Sequence, residues 1–319
     1  MANPFRRKQI AEIRKSPNTD GPDVQAGAYK VGLKPAAEWT RRNPVTEILL
    51  PSLFSKREGC SLVPEWPNLE GSDIALTWIG HASFLLQAGG LNILIDPIWG
   101  NWVKGIKRMR HPGVALKHLP NIDLVLITHA HFDHLDRKTL REVAADQPIV
   151  VPFEVGNLVH DLGFQVVQEL HYWETFEFGP LKVTLTPCHH WGARVLHDSH
   201  RGFGGYILEV GGRVIYHCGD TAYFEGFREI GRRYQIDVAL LPIGAYEPPS
   251  LRPVHMNPEE ALMAFQELGA KLMVPMHYGT FRLSYEPMDE PPLRLLEAAR
   301  VHGLLDRIVC MKEGDPGVF

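Results

Sequence analysis

The amino-acid sequence predicts an α/β fold in which apolar strands carry chemically active side chains at their ends. Short apolar runs alternate with helical patterns along most of the chain after residue 70, which is typical of a layered α/β architecture. The run Leu124–Ile127 is continuously apolar, as expected for a buried strand. It leads into Thr128–His134, where three histidines and one aspartate lie within six residues. The end of such a strand is a usual position for a ligand site.

The composition indicates an ordinary soluble protein that has no nucleic-acid partner. The chain has 319 residues, of which 45% are apolar and 22% charged, and its net charge is -4. A nucleic-acid-binding protein would favour a basic face instead. The four cysteines have no paired spacing, and we find neither a secretory signal nor an apolar run that could span a membrane. We therefore expect a cytoplasmic protein, with peripheral membrane contact and a homodimer as further options.

The first 70 residues are predicted to form an irregular arm, and residues 71–319 a hydrolase domain. Pro, Asn, Gly and Arg are frequent in the arm, and apolar periodicity is poor there. Our main expectation is an arm that packs along the domain. The alternative is a short basic helix with Phe5, Ile10 and Ile13 on one face, which could contact a membrane.

The first half of the domain reads as a strand meander followed by alternating helices and strands. Three apolar runs punctuated by Gly80-His81 and Gly89-Gly90 predict the meander. The segment 99–120 is loop-like. It carries a basic patch that we expect to be solvated, although it could also meet an anionic head group; the patch consists of Lys104, Lys107, Arg108 and Arg110. The predicted elements are strands at 74–79, 83–86, 92–95, 124–127 and 148–151, helices at 137–145 and 154–162, and two or three strands that end near residue 185.

The second half predicts a hairpin, two buried strands and two helices. Gly211-Gly212 joins two apolar runs in a typical hairpin arrangement. A helix is expected after Asn257, which can cap it, with Pro258 in its first turn. The predicted elements are strands at 203–210, 213–217, 237–241, 271–276 and 307–311, and helices that begin at 258 and at 291.

Four of these strands end in residues that can bind a metal ion. Imidazole and carboxylate groups suit zinc, and also iron or manganese. The residues at the strand ends are His129 and His131, His190 or His189, Asp220, and His277, and Asp133 and His134 follow the first pair. One ion would bind His129, His131, His190 and Asp220, and a second would bind Asp133, His134, Asp220 and His277. Asp220 would bridge the two ions, and a shared solvent molecule would leave the site open for catalysis.

Other polar residues near these strand ends have weaker assignments. His255 precedes the N-terminus of a predicted helix, where an anion such as phosphate is favoured, but it could equally be a surface histidine. His81 and Asp96 fall at strand ends and could support the metal ligands or simply be satisfied polar groups. Cys188 and Cys218 are interpreted as small buried residues rather than ligands. His197 and His200 are expected at the surface.

These motifs resemble the metallo-β-lactamase superfamily, whose signature is the H-x-H-x-D-H loop, and within it the branch of N-acyl-phosphatidylethanolamine-hydrolysing phospholipase D. The resemblance extends from residue 74 to about 313. The matching segments are Trp78–Ser83, Thr128–Asp136, Thr186–Trp191 with Arg194, Cys218–Thr221, Pro242–Tyr246, His255 with Pro258–Ala261, and His277–Phe281.

The resemblance implies a four-layer αβ/βα sandwich with two zinc ions at the strand-end edge. It also implies that His190, directly before Trp191, is the ligand rather than His189, and that His255 lies in the substrate pocket. The implied reaction is hydrolysis of a phosphodiester in a phospholipid, in which Asp133 and Asp220 orient the attacking water and His255 positions the phosphate or the leaving group.

Other functions are compatible with the same residues. A small-molecule phosphodiesterase is one of them, whereas the acidic net charge makes a nuclease a less favoured option. A lactonase, or another ester or amide hydrolase with a small sugar-phosphate-like substrate, could use the same metal pair, because such a pair attacks carbonyl carbon as readily as phosphorus. A non-catalytic metal-binding sensor could also retain the fold.

Overall fold

Two β-sheets pack face to face in this protein, and helices cover their outer sides. The computed structural model describes residues 10–15, 43, 45–195 and 198–319. The described strands are β1 (Glu12–Arg14), β2 (Ile74–Gly80), β3 (Ser83–Ala88), β4 (Leu91–Ile95), β5 (Trp102–Val103), β6 (Ile106–Lys107), β7 (Leu124–Leu126), β8 (Ile149–Pro152), β9 (Val166–Leu170), β10 (Thr175–Phe178), β11 (Leu181–Thr186), β12 (Gly205–Val210), β13 (Arg213–His217), β14 (Val238–Pro242), β15 (Leu272–Met276) and β16 (Pro316–Val318). The α-helices are α1 (Leu50–Phe54), α2 (Arg137–Val143), α3 (Gly226–Arg233), α4 (Pro258–Leu268) and α5 (Glu290–Val301).

The two sheets have eight and six strands. The larger sheet has the order β1-β9-β8-β7-β4-β3-β2-β16, and the smaller has the order β10-β11-β12-β13-β14-β15. The meander β2-β3-β4 is antiparallel, whereas β4, β7, β8 and β9 run parallel. The predicted hairpin is present, since β12 and β13 pair antiparallel around Gly211-Gly212. These layers confirm the predicted four-layer α/β sandwich.

Alternate residues of the central strands enter two different apolar cores, because successive side chains of a strand point to opposite faces. Leu124 and Leu126 join the larger apolar core, which includes residues of both sheets and extends to Phe227 of α3 and Phe265 of α4 on the smaller sheet. Val125 and Ile127 point the other way and pack with Leu140 of α2. Burial on both faces explains why this strand has a continuously apolar sequence.

Several elements differ from the sequence-based expectations. The helix expected at 154–162 is reduced to a 3-10 turn at Gly156–Leu158. The N–H groups of Leu158 and Val159 bond to carbonyl oxygens three residues back, and the N–H of Gly156 donates to Glu169 Oε1 of β9 at 2.8 Å, so the chain is held in one tight turn against β9. The strand expected at 307–311 is wrong as well, since Ile308 makes only a bridge to Met273 and the last strand is β16. Helix α3 was not predicted.

The described parts of the arm contain some regular secondary structure. Glu12–Arg14 adds β1 to the edge of the larger sheet, parallel to β9, so the alternative of a helix through Ile10 and Ile13 is wrong. Phe5 lies outside the described residues. A π-helical turn, Val45–Leu49, leads into α1. The domain boundary near residue 70 remains a prediction. None of the described helices has the length and apolar character that crossing a bilayer requires.

Candidate metal centre

The ends of strands from both sheets bring together all eight residues that the sequence analysis assigned to the site. Strands β2, β4 and β7 of the larger sheet and β11, β13 and β15 of the smaller one end at the same edge. Groups of potential ligand atoms within 4.8 Å of one another include His129, His131, Asp133, His134, His190, Asp220, His255 and His277, and also His81. The sequence positions of these residues span almost 200 residues, so only the fold can bring them together.

One group of donor atoms comes from the first two histidines of the H-x-H-x-D-H loop, from His190 and from Asp220. His131 Nδ1 lies 2.9 Å from His129 Nε2 and 3.3 Å from His190 Nε2. Asp220 Oδ2 is 3.9 Å from the Nε2 atoms of both His129 and His190. In this group His131 presents Nδ1, whereas the other two histidines present Nε2.

A second group shares the same carboxylate oxygen. Asp220 Oδ2 is 3.0 Å from His277 Nε2 and 3.2 Å from His134 Nε2. Asp133 Oδ2 lies 3.9 Å and 3.8 Å from these two nitrogen atoms. The geometry therefore places Asp220 between two donor groups, which is the arrangement that a bridging ligand needs.

Both groups have the donor spacing of a metal site. Four ligand atoms about 2.1 Å from a tetrahedral ion lie roughly 3.4 Å from one another. The distances in the two groups run from 2.9 to 3.9 Å. Among the described residues, the Nε2 atoms of His134 and His277 are buried and form no well-aligned hydrogen bond, although Asp220 Oδ2 lies 3.2 and 3.0 Å away. A buried nitrogen in this state is costly unless a cation or a donor satisfies it, so these residues fit a divalent ion.

The electrostatics of the cluster favour a cation while keeping most imidazoles neutral. Burial lowers the pKa of His131 to about 4 and the pKa values of His129 and His190 well below the usual range. Burial would also lower the pKa of His134, but the carboxylates of Asp220, Asp96 and Asp133 raise it well above 6.5. The carboxylates thus create a site for positive charge, and the neutral histidines offer lone pairs to it.

Asp96 orients His134 from behind the site. Its Oδ2 atom lies 2.7 Å from His134 Nδ1 and accepts from the hydroxyl of Thr128 at 2.6 Å. Its other oxygen accepts from the backbone N–H of Thr128 at 2.7 Å. Because the carboxylate accepts the Nδ1 proton, Nε2 of His134 keeps its lone pair for a metal. Asp96 thus supports a candidate metal ligand, which was one of its two interpretations.

Arg194 bonds to the backbone of the H-x-H-x-D-H loop at two points, a role that the sequence analysis did not assign. Its guanidinium donates to the carbonyl oxygens of Ala130 at 2.7 Å and Leu135 at 2.9 Å. It also stacks 3.9 Å over the ring of Phe132, and Lys104 Nζ lies 3.9 Å from the same ring. Lys104 comes from the tip of the β5-β6 hairpin, so this hairpin reaches the edge of the site.

His255 lies beside the two donor groups, with its ring 5.3 Å from that of His190 and 5.4 Å from that of His277. Burial lowers its pKa to about 4. The helix behind it offers less to an anion than expected. Pro258 has no N–H, and the N–H of Glu260 is taken by Asn257 in a capping box. Any contact of His255 with a phosphate would therefore depend on its side chain.

The remaining predicted residues are placed as follows. His190 is fully buried in the cluster, whereas the backbone N–H of His189 donates to Thr221. Cys188 and Cys218 are buried free thiols. His200 is exposed, and His197 lies outside the described residues. In the basic patch, Arg108 is fully buried and donates to three backbone carbonyls, so the expectation of a solvated loop is wrong for that residue.

Comparisons with known proteins agree with this geometry. The family model described as a beta-lactamase superfamily domain matches residues 91–278. An uncharacterised protein of Mycobacterium tuberculosis is 33% identical, over 87% of this chain and 80% of the relative. A metal-dependent hydrolase of Pyrobaculum arsenaticum is 34% identical, over 75% of this chain and 97% of the relative. N-acyl-phosphatidylethanolamine-hydrolyzing phospholipase D 1 of Caenorhabditis elegans is 31% identical, over 69% of each chain.

Solved structures show the same fold. Igni18, a metallo hydrolase from Ignicoccus hospitalis, is 28% identical with a TM-score of 0.62, and the match covers 78% of this chain and 99% of that one. An isothiocyanate hydrolase from Delia radicum gut bacteria has a TM-score of 0.64 at 24% identity, over 77% of this chain and 99% of that one. The second likeness concerns the fold alone.

Proposed function

This chain belongs to the beta-lactamase superfamily as a metal-dependent hydrolase, and we propose that it cleaves phosphodiesters, with N-acylated phospholipids as the substrate class. One observation carries the proposal: two donor groups share Asp220 Oδ2 beside a wall that is both apolar and cationic. A shared carboxylate is suited to a pair of ions, and such pairs are typical of enzymes that hydrolyse phosphate esters.

We propose zinc as the metal, with manganese or iron as options, because the donors are imidazoles and carboxylates. The first ion would be held by His129, His131, His190 and Asp220, and the second by Asp133, His134, Asp220 and His277. When bound, the ions would supply Lewis-acid polarisation and lower the pKa of water towards about 7.

The protein side chains would position the reactants. Asp220 is buried and the side chain of Asp133 is 14% exposed, and both carboxylates are acceptors that can orient a water molecule by its protons. His255 is neutral at pH 7 because its pKa is lowered to about 4. A neutral imidazole offers one N–H and one lone pair, so His255 could donate to a phosphate oxygen or pass a proton to the leaving group.

The wall beside Asp133 suits an amphiphilic anion. Phe132 packs with Ile98, Val103 and Phe281 in a small apolar cluster. Lys104 lies over the outer ring face and can attract an anionic head group. Trp191, 37% exposed, contacts His131 edge-on at 5.2 Å between ring centroids. Such a lining, together with the similarity to N-acyl-phosphatidylethanolamine-hydrolyzing phospholipase D 1 of Caenorhabditis elegans, favours a phospholipid over a small sugar phosphate.

The test is metal content per chain, measured with hydrolysis of bis(p-nitrophenyl) phosphate, an N-acyl-phosphatidylethanolamine and a lactone panel. We expect about two ions per chain and chelator-sensitive phosphodiester turnover. Asp220→Asn should lower kcat by about 100-fold or more, as expected when a charged group at the reacting centre is lost. Asp289→Asn, at an exposed carboxylate, is the matched control and should keep full activity. Full activity of Asp220→Asn at full metal content would refute the bridging role.

The same panel separates the alternatives. Two ions with turnover of lactones alone would retain the metal centre and assign the chain to the carbonyl hydrolases. Two ions without any turnover would favour the non-catalytic sensor. Fewer than two ions after reloading would mean that the two donor groups do not act as one binuclear site.

We also propose that the protein binds the membrane surface that contains its lipid substrate through α1. Leu50, Leu53 and Phe54 occupy one face of this helix and are 43%, 45% and 85% exposed. Lys107 Nζ donates to backbone oxygens at Leu53 and Ser55 and so ties α1 to the hairpin that carries Lys104. Apolar side chains with nearby lysines favour an anionic lipid surface.

Vesicle flotation tests this contact. The double variant Leu53→Glu and Phe54→Glu should lose binding to vesicles that contain anionic phospholipid, whereas Leu293→Glu, at another exposed apolar position, should retain it. Hydrolysis of the soluble bis(p-nitrophenyl) phosphate should not change in either variant. Undiminished flotation of the double variant would exclude α1 as the contact.

A further inference from the structure

We propose that His81 is a positioning residue of the metal centre and that it fixes the Asp133 carboxylate by a hydrogen bond from its Nε2–H group. This inference rests on the metal centre of the proposed function. His81 is separated from Asp133 by 52 positions in the sequence, and it belongs to the turn between β2 and β3.

The backbone of His81 is held in an uncommon conformation by the strand end that carries His277. His81 has a φ of +56°, in the left-handed region that few residues other than glycine adopt. Its N–H donates to Thr280 Oγ1 at 2.6 Å. Its carbonyl oxygen accepts from the N–H of His277 at 3.0 Å and from Trp78 Nε1 at 2.9 Å. These three bonds fix the backbone of His81 at the point where the two sheets are joined, and so direct its side chain into the site.

The side chain of His81 is 1% exposed and reaches Asp133 directly. Its Nε2 lies 3.0 Å from Asp133 Oδ2. A carboxylate at the centre of a histidine cluster can only accept, so Nε2 carries the proton. Nδ1 is buried, and no described residue donates to it. Two neighbouring rings also restrict the His81 ring. Its centroid lies 4.1 Å from that of His277 and 5.3 Å from that of Phe281, which it meets edge-on.

The consequence concerns which way Asp133 points. Asp133 Oδ2 faces the Nε2 atoms of His134 and His277 at 3.8 and 3.9 Å, the spacing of the second donor group. Asp133 follows the bend of the H-x-H-x-D-H loop, where a carboxylate can rotate freely about its terminal torsion. The hydrogen bond from His81 selects the orientation that completes the second group. Loss of such a supporting bond typically costs about 10- to 100-fold in metal affinity or activity.

A matched pair of variants isolates the hydrogen bond. His81→Gln keeps an N–H donor at about the reach of Nε2, whereas His81→Leu has a similar size and no donor. Glutamine and leucine would both have to adopt the positive φ of position 81, so the two variants differ mainly in the hydrogen bond to Asp133. Zinc affinity is measured by competition with a chromophoric chelator, and the environment of the second ion by the visible absorption of cobalt-substituted protein.

We expect His81→Leu to lower the affinity for the second ion by about 10- to 100-fold and to change the cobalt spectrum. His81→Gln should stay within about three-fold of the wild type, and the first ion should be unaffected in both. Equal affinities in the two variants, whether both normal or both weakened, would overturn the proposal. If both variants bound the second ion more weakly, His81 would act as a metal ligand or through packing, because a glutamine amide replaces an imidazole poorly in both of these roles.

Nitrogen-15 NMR of the zinc-loaded wild-type protein provides a second measurement that needs no variant. We expect the His81 ring as the Nε2–H tautomer with a bare Nδ1. An Nδ1–H tautomer, or the chemical shift of a metal-bound Nε2, would overturn the proposal. Neither readout requires turnover. A protein that binds two ions and hydrolyses no phosphodiester would therefore contradict the proposed function while leaving the test of His81 intact.

Discussion

Replacement of Arg194 should loosen the metal-binding loop, and the structure allows the cost to be worked out. Arg194 donates to the carbonyl oxygens of Ala130, inside H-x-H-x-D-H, and of Leu135, directly after it. Burial lowers its pKa to about 10, so the guanidinium is still charged at pH 7. In Arg194→Met both bonds are lost, while a linear apolar stem remains to pack on Phe132.

The expected cost is about 3 kcal/mol of unfolding free energy. A hydrogen bond from a charged group contributes about 1.5 to 3 kcal/mol, and the lower figure applies here because the side chain is only half-buried. Two such bonds give about 3 kcal/mol, and the lost stacking of the guanidinium on Phe132 adds at most about 1 kcal/mol.

Urea denaturation of the metal-free protein measures this cost. The midpoint should fall without a large change in the slope, because the surface exposed on unfolding is nearly the same. Arg300→Met is the control: Arg300 forms an exposed ion pair with Glu297, and its loss should leave the urea midpoint nearly unchanged. If the two variants were equally stable, the two backbone bonds of Arg194 could not be holding the loop.

Three further outcomes follow from the structure. Asp96→Asn should lower zinc affinity by about 10- to 100-fold, because the amide no longer fixes the His134 ring; unchanged affinity in a zinc titration would contradict this. Gly244→Ala should cost about 2 kcal/mol or more in urea denaturation, since its Cβ would lie 2.2 Å from the carbonyl oxygen of His277. Burial raises the pKa of Glu313, so its contribution to stability is present below pH 4.5 and is lost as the pH rises through the raised value. Glu313→Gln should therefore melt at the same temperature as the wild type near pH 4 and at a higher temperature at pH 8, and a lower melting temperature at pH 8 would refute the argument.

The elements that the sequence predicts well are those whose signal is local. The continuously apolar run at Leu124–Ile127, the turn at Gly211-Gly212 and the cap at Asn257 each specify their own conformation, and all three are present. The placement of metal-competent residues after such strands depends on the same signal, because the carboxyl ends of parallel strands lie at one edge of a sheet.

The features that the sequence does not predict depend on contacts between distant parts of the chain. Val155, Val159 and Leu162 are all buried with helical spacing, but the N–H of Gly156 is bonded to Glu169 of β9 and the N–H groups of Leu158 and Val159 bond to carbonyls three residues back, as in a 3-10 turn. Arg108 lies in a basic stretch that resembles a solvated loop, yet it is buried because the backbone carbonyls of Ile79, Ile98 and Arg110 surround it. No local pattern contains these partners.

The position of the site between the two sheets also explains why its supporting residues are difficult to predict from the sequence. The H-x-H-x-D-H loop comes from the larger sheet, whereas Asp220 and His277 come from the smaller one. Each donor group therefore contains residues of both sheets, and its geometry depends on how the two sheets are joined. His81 makes that connection: its backbone bonds to the strand end of His277 and its ring bonds to Asp133. A residue that links the two halves acts only through the assembled sandwich, so its role follows from distances in the fold rather than from its neighbours in the sequence.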